Sequence, residues 1–474
     1  MRFGAGPRCG VRLHPRGVGR TRGITTMRNP ASRTFPADHR HRSTIGDPMR
    51  TVHAHTRVSD RTLDLLRDGY TFADTVRARI GNLATRAAPL KLMGGPALLI
   101  RGTEAVRFFY DTDKFRRAGA MPLAVKAPLF GRGAVHGLDD DSHRHRKQLF
   151  LHATTPERVE VLVAEVDREW ARVLEGAGTL NVYEASVGVF GRAVLSWAGT
   201  GMDTPQMEDR AQRLAAIVEG FGVPGPPWVR AMLARRDSDA WAKGLITRAR
   251  TDEGCAGQGA GQAPALDLVA AHRDADGQLL DEHTAGVELQ NMVRPTIAVS
   301  RFAAFIALAL HEHPDWVARL RAETTERGTT VGGPLARAFA HEVRRVYPFV
   351  PMLPARARCP MQWGGQQIRT GQRVLLDILG TNNDPGEWER PADFDPERFL
   401  DLDPTAIENF VPQGGGSAEA GHRCPGEDIT VGLMAVTAAH LAGRDWTAED
   451  AGMSFDLHRM PTRPQGGPVL QFTP

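Results

Sequence analysis

The sequence has little cysteine. Cys9, Cys255, Cys359 and Cys424 are the four in 474 residues, and they are widely spaced with no CxxC pair. That spacing excludes a disulfide framework and a CxxC-type metal or redox site, and it fits a reducing cytoplasm. Long apolar runs are also missing. The longest, Phe302–Leu310, falls far short of the roughly 18 residues a membrane-crossing helix needs, so no membrane span is expected. Acids are nearly absent from the first fifty residues, where eleven Arg and no Lys stand against Asp38 and Asp47. That segment carries +9 in a chain whose net charge is +4, which leaves −5 for the rest. The body is mildly acidic, which argues against a globular domain built to bind phosphate backbones.

What is present reads as one folded body behind a tail. Residues 1–50 are rich in Arg, Gly, Pro and Thr without periodicity, and read as a disordered basic extension with alternative starts at Met27 and Met49. Order is expected from Ser59–Asp60, a capped helix start before Leu63, Leu65 and Leu66. Val159, Val161, Val163, Val166 and Trp170 predict an amphipathic helix over Pro156–Glu175. Further helices are predicted over Leu180–Ala198, Met207–Val218, Leu279–His311, Pro334–Val346 and Gly426–Leu441. Residues Gly254–Pro264 read as a flexible loop. Strand-like pieces with turns at Gly364–Gly365 and Gly371 fall in Met361–Ile378. The expected fold is mainly α with a small β region, a single domain over residues 51–474.

Three local features carry chemistry. Cys424 lies in Gly421-His422-Arg423-Cys424-Pro425-Gly426-Glu427, just before a predicted helix N-terminus. Backbone N–H groups and the helix dipole there favour a thiolate, which suits a metal ligand or a nucleophile; a small buried apolar cysteine is the alternative. Glu342 and Arg345 share a helix face at i, i+3. Arg398, in Pro396-Glu397-Arg398-Phe399, is placed to join them in a buried three-way ion pair.

Taken in this order, Glu342-x-x-Arg345, Pro396-Glu397-Arg398-Phe399 and the glycine-rich approach to Cys424 resemble the cytochrome P450 superfamily. Asp384-Pro-x-x-Trp388-x-x-Pro391-x-x-Phe394 adds to the match, which runs over roughly residues 59–474. The resemblance implies the P450 fold and a haem b whose iron is held by the Cys424 thiolate. Two departures narrow it. Ser417 stands where most members have an aromatic residue. Ala285-Gly286-Val287-Glu288 looks like the start of the oxygen-activating acid–Thr pair, but Leu289 stands where Thr would be.

Arg294-Pro295 follows in the same apolar helix. An interior proline costs about 3 kcal/mol and frees a carbonyl, and a buried guanidinium needs a partner. Two broken local rules side by side point to a functional site; a kinked helix with Arg294 pairing to Glu288 or reaching water is the alternative. Gln-Asn-Met-Val-Arg294-Pro295-Thr and Phe410-Val-Pro-Gln413-Gly-Gly-Gly416 resemble the bacterial fatty-acid peroxygenase branch, which includes fatty-acid alpha- and beta-hydroxylases and an olefin-forming decarboxylase. The resemblance implies a long-chain fatty acid whose carboxylate pairs with Arg294 and serves as acid–base for hydrogen peroxide, with no obligatory redox partner. It implies a distal role for His136, with Phe130 beside it, and an acyl pocket that includes Phe349 and Val350. Arg117, His143, Lys147, Gln413 and His422 are the candidate partners of the haem carboxylates. A redox-partner-dependent monooxygenase and a non-catalytic haem ligand-binding protein are the alternative functions.

Overall fold

The computed structural model describes residues 59–251 and 263–473. The basic segment 1–50, Cys9, Cys255 and most of the stretch 254–264 lie outside the described residues. The described body is mainly helical, with three small sheets, as the sequence predicts.

Helix Pro156–Leu174 shows how periodicity sets the packing. Val159, Leu162, Val163, Val166, Trp170 and Leu174 repeat at three- and four-residue steps and are buried. Val161, expected on that face, is 60% exposed, because two residues past Val159 is about 200° around the helix, on the side opposite the buried stripe. Trp170 closes its indole N–H on Thr437 Oγ1 at 3.0 Å inside the core. Helix Val182–Trp197 starts where Asn181 accepts the Glu184 N–H. Helix Thr204–Glu219 starts at a capping box of Asp203 and Gln206.

The predicted helix Leu279–His311 is two helices, Glu282–Ala298 and Ser300–Glu312, meeting at Val299. Pro295 removes the N–H that would bond the Asn291 carbonyl, and at the junction the Val299 N–H reaches only three residues back, to Thr296 O. Among the described residues, 282–312 is the one stretch long and apolar enough to cross a membrane, and 94% of its most apolar window is buried in the fold. Helix Pro226–Thr251, whose apolar pattern is weak, lies against the first half of this pair.

The larger sheet runs Ala87–Leu92, Gly95–Ile100, Arg373–Asp377, Met352–Ala357, Phe115–Arg116 in spatial order. All pairings are antiparallel except that of Gly95–Ile100 with Arg373–Asp377. Within the predicted strand-like stretch, Met361–Trp363 and Gln366–Ile368 form a hairpin; Gly364 and Gly365 both take positive φ (54° and 75°), which its two-residue turn requires. A third sheet joins Thr179–Asn181, Val469–Phe472 and Trp446–Ala448.

Two buried ion-pair groups fix the elements that carry Cys424. Arg345 gives Nε and Nη2 to the two oxygens of Glu342, each at 2.7 Å, with both side chains fully buried. Its remaining donors hold Asn383 Oδ1, Pro391 O and Asp393 O at 2.9–3.0 Å. Arg398 approaches Glu342 at 3.6 Å without a hydrogen bond and donates instead to the carbonyls of Glu389 and Arg390. The three-way group therefore exists, with Arg398 as its outer member. One residue along, Arg344 pairs with Glu427, the first residue of helix Glu427–Ala442, and Arg423 pairs with the same carboxylate at 2.6 Å.

Candidate functional site

Cys424 is a free thiol three residues before that helix, and its free surface is turned to an internal cavity of about 240 Å³. Its loop is tied down from several sides. The Cys424 N–H donates to Gln413 O at 3.3 Å. Gln413 Nε2 bonds Thr430 Oγ1 at 2.9 Å and lies 3.8 Å from the sulfur. The glycine run upstream lies flat on Tyr110: a Cβ at Gly414, whose φ is +97°, would sit 2.8 Å from the Tyr110 hydroxyl.

Helix Asp140–Ala153 supplies the other side of this loop. Lys147 donates to Arg423 O at 2.7 Å and also to Gly421 O. The His143 ring packs on His422, with centroids 3.9 Å apart. Burial is the largest cause of the low basicity of these groups, pulling Lys147 to about 8, His143 to about 4 and His422 to about 2. Arg117 lies over the Phe109 ring at 4.0 Å and lines an adjoining cavity of about 120 Å³. The two cavities share His136, Leu353 and His422 in their walls. Burial also pushes the Cys424 thiol up, overcoming the Gly426 N–H, Lys147 and Arg344, so helix end and cations alone do not make the thiolate that the sequence suggests.

The opposite wall comes from the helix with the proline. Asn291, Met292, Pro295 and Thr296 line the cavity. Arg294, 2% exposed, gives Nη2 to Asn291 Oδ1 at 2.9 Å, and its Nη1 has no partner. Asn291 in turn donates to Glu288 Oε2 and to Phe130 O, each at 3.1 Å. Arg294 thus reaches Glu288 only through Asn291, and the direct pair is not formed. Burial first, then Arg235, pulls the Arg294 guanidinium down to about 9 against Asp239 and Glu288. Leu289, at the place of the missing Thr, is fully buried.

His136 sits in the short turn Val135–Gly137, its ring 4.2 Å from that of Phe130. It opens onto both cavities yet is enclosed by protein, and burial together with Arg294 pulls it to about 3, so the ring is neutral at pH 7. Arg294, His136 and Phe130 are thus brought together, as are Cys424, His143, Lys147, Gln413 and His422. Phe349, Val350 and Arg294 line neither cavity; Arg294 lies behind its neighbours Asn291 and Pro295, which do. Phe349 stacks on Phe302 at 4.5 Å, Val350 packs under the larger sheet, and Leu353 supplies the wall from this segment. Asn291, Lys126 and Leu353 are site residues that the sequence reading misses. Asn291 lies i−3 from Arg294, so helical spacing would have flagged it. Lys126, in helix Leu123–Phe130, lines the smaller cavity beside Arg117. The largest described cavity, about 750 Å³, shares no lining residue with these two.

A haem is amphiphilic, with an apolar ring and two carboxylates on one edge, and the walls fit that division. Met292, Leu353 and Ile429 are apolar; Arg117, Lys126, His143 and His422 offer nitrogen; Cys424 offers one soft donor; and the buried Gln413 Oε1 has no partner.

The cytochrome P450 family model matches residues 267–441. Solved structures extend the likeness over the described body. Cytochrome P450SP alpha in complex with (R)-ibuprofen is 38% identical with a TM-score of 0.79, over 87% of this chain and 98% of that one. Cytochrome P450EX alpha with myristic acid is 32% identical (TM-score 0.78; 87% and 97% covered). Ligand-free cytochrome P450 OleT is 29% identical (TM-score 0.79; 87% and 96% covered). The chain belongs to the cytochrome P450 family, haem-thiolate oxidoreductases that bind haem b through a cysteine thiolate. Within the family its place is the bacterial fatty-acid peroxygenase branch.

Proposed function

We propose that this protein hydroxylates fatty acids at the alpha or beta carbon with hydrogen peroxide, with some decarboxylation to terminal alkenes. Cys424 is the thiolate ligand of the haem, and Arg294 holds the substrate carboxylate. The observation that carries this reading is the buried Arg294, whose Nη1 lacks an acceptor beside the wall opposite Cys424. A carboxylate fills that gap, since guanidinium and carboxylate meet in a strict bidentate geometry. The solved relatives bind myristic acid and ibuprofen, both carboxylic acids.

The haem, when bound, supplies the oxidising power. The chain's residues orient the substrate and handle protons. Asn291 fixes one end of the guanidinium, so the substrate carboxylate is held by the other. This carboxylate takes a proton from one peroxide oxygen and returns it to the other, which leaves as water. Leu289 offers no hydroxyl for that work. Holding the carboxylate also brings the adjacent C-alpha and C-beta hydrogens within reach. Hydroxylation balances as R–H plus H2O2 giving R–OH plus H2O. The alkene route consumes one H2O2 and releases CO2 and two H2O. His136, neutral, is the distal hydrogen-bond group, and Phe130 packs beside it. Arg117, Lys126, His143, Lys147, Gln413 and His422 hold the haem edge and the cysteine loop. No redox partner is required, and the cytoplasm is the compartment we assign.

The test is incubation of haem-loaded protein with long-chain fatty acids and peroxide alone, followed by mass spectrometry of the products. Hydroxy acids are the expected result. Activity that appears only with a reductase and ferredoxin would overturn the reading.

The affinity should also follow pH in one direction. Below about 9 Arg294 is charged and the carboxylate dissociation constant is flat down to the titration of the fatty acid itself. Above it the free enzyme loses the proton that binding needs, so the constant should rise up to tenfold per pH unit. The groups facing Arg294 are Arg235 and Asp239 from helix Pro226–Thr251, Glu288 on its own helix and His136. Soret titrations from pH 7 to 10.5 check this; a flat profile throughout would count against Arg294 as the anchor.

A further inference from the structure

Glu288 occupies the place of the acid in an oxygen-activating pair, but the structure puts it to another use. It is fully buried, and three donors from three places converge on its carboxylate. Oε1 accepts the Val135 N–H at 2.8 Å and Arg146 Nη1 at 2.9 Å. Oε2 accepts Asn291 Nδ2 at 3.1 Å. Val135 begins the turn that carries His136. Arg146 lies on the helix that carries His143 and Lys147. Asn291 is the partner that fixes Arg294. The turn comes close to the helix because Gly131 and Gly133 have no side chains: a Cβ at Gly131 would strike Arg235 and Val287, and one at Gly133 would meet Thr284 at 3.0 Å.

We infer that Glu288 is a positioning residue that sets the spacing between His136 and Arg294, and through it where along the acyl chain the substrate is oxidised. The inference rests on the proposed role of Arg294. A carboxylate at this point is required by counting. Three donors need acceptors, and a glutamine amide offers one oxygen and brings two donors of its own. Glu288→Gln therefore leaves at least one buried N–H unpaired, and either the His136 turn or Asn291 must shift.

The experiment compares wild type, Glu288→Gln and Arg294→Ala, each loaded with haem, by Soret titration with myristic acid and separately with imidazole. In Glu288→Gln the myristate dissociation constant should rise about tenfold, the loss of one hydrogen bond to a charged group. Imidazole affinity should stay within about twofold, and the ratio of alpha to beta products should change. Wild-type myristate affinity and product ratio in Glu288→Gln, with Arg294→Ala defective, would overturn this inference alone. Wild-type myristate binding in Arg294→Ala would overturn the carboxylate anchor itself. Equal losses for myristate and imidazole would show general damage to the pocket and refute a positioning role. If Glu288→Gln does not hold haem, Arg146→Leu removes one of the three donors instead; it should change the ratio of alpha to beta products, and an unchanged ratio there refutes the idea.

Discussion

Arg294→Ala should abolish peroxide-driven turnover of fatty acids while the protein still folds and binds haem. Removing one partner of a buried charge pair costs about 2–5 kcal/mol, so myristate affinity should fall between roughly 30-fold and several thousand-fold. Turnover should fall further, because the group that moves the peroxide proton is no longer held in place. Arg294→Lys should lie between, since an ammonium keeps the charge but not the planar fork. Haem content should persist, because Arg294 makes none of the contacts that hold Cys424, His143 or Lys147. Stability gives an independent check with its own sign. The guanidinium falls to about 9 from its usual 12.5, so the fold disfavours its charged form at every pH below 9. Arg294→Leu, which fills the space without the charge, should therefore melt no lower than wild type. A functional residue that costs stability is the expected pattern at such a site. Fatty-acid turnover at the wild-type rate in Arg294→Ala would sink the anchor.

The parts of this molecule that could be read early are those in which one residue breaks a local rule. Arg294 beside Pro295 is visible because a cation and a proline do not belong in an apolar helix, and the structure puts Pro295 in the cavity wall with Arg294 buried next to it. Helix Pro334–Val346 is found to the residue because Pro334 marks its first turn and its apolar face is regular. The parts that could not be read depend on long-range packing. Helix Pro226–Thr251 has no clean apolar stripe, because it lies between other helices and carries Arg235 inward. Phe349 looks like a pocket aromatic, but its stacking on Phe302 depends on a partner 47 positions away. Lys126 belongs to a site only because Gly137 leaves room for it: a Cβ at Gly137 would collide with Lys126 Nζ. Glu288 was visible as an acid, but its three donors lie on separate segments, and no spacing in the sequence joins them.

Glu342→Ala should be the most destabilising single change among the residues discussed. It leaves Arg345, fully buried, without its counter-charge, and stranding one member of a buried pair costs about 3–5 kcal/mol. The Asp395 N–H, 2.8 Å from Glu342 Oε1, loses its acceptor too. The damage should reach Cys424, because the same helix holds the cysteine loop through Arg344, Glu427 and Arg423. A chain of this size is expected to unfold irreversibly, so the measurement is the half-life of the haem Soret band on warming, with far-UV circular dichroism alongside. Both should fall well below wild type. A double variant separates two explanations. If Arg345 served only to balance Glu342, replacing both by apolar residues would restore stability, as such replacements often do. Arg345 also satisfies the carbonyls of Pro391 and Asp393 and the side chain of Asn383, which an apolar residue leaves bare. Glu342→Ala with Arg345→Met should therefore recover less than half of the loss. Full recovery would reduce the pair to charge balance. Partial recovery identifies Arg345 as the clamp that fixes the 382–393 segment against the helix supporting the haem ligand.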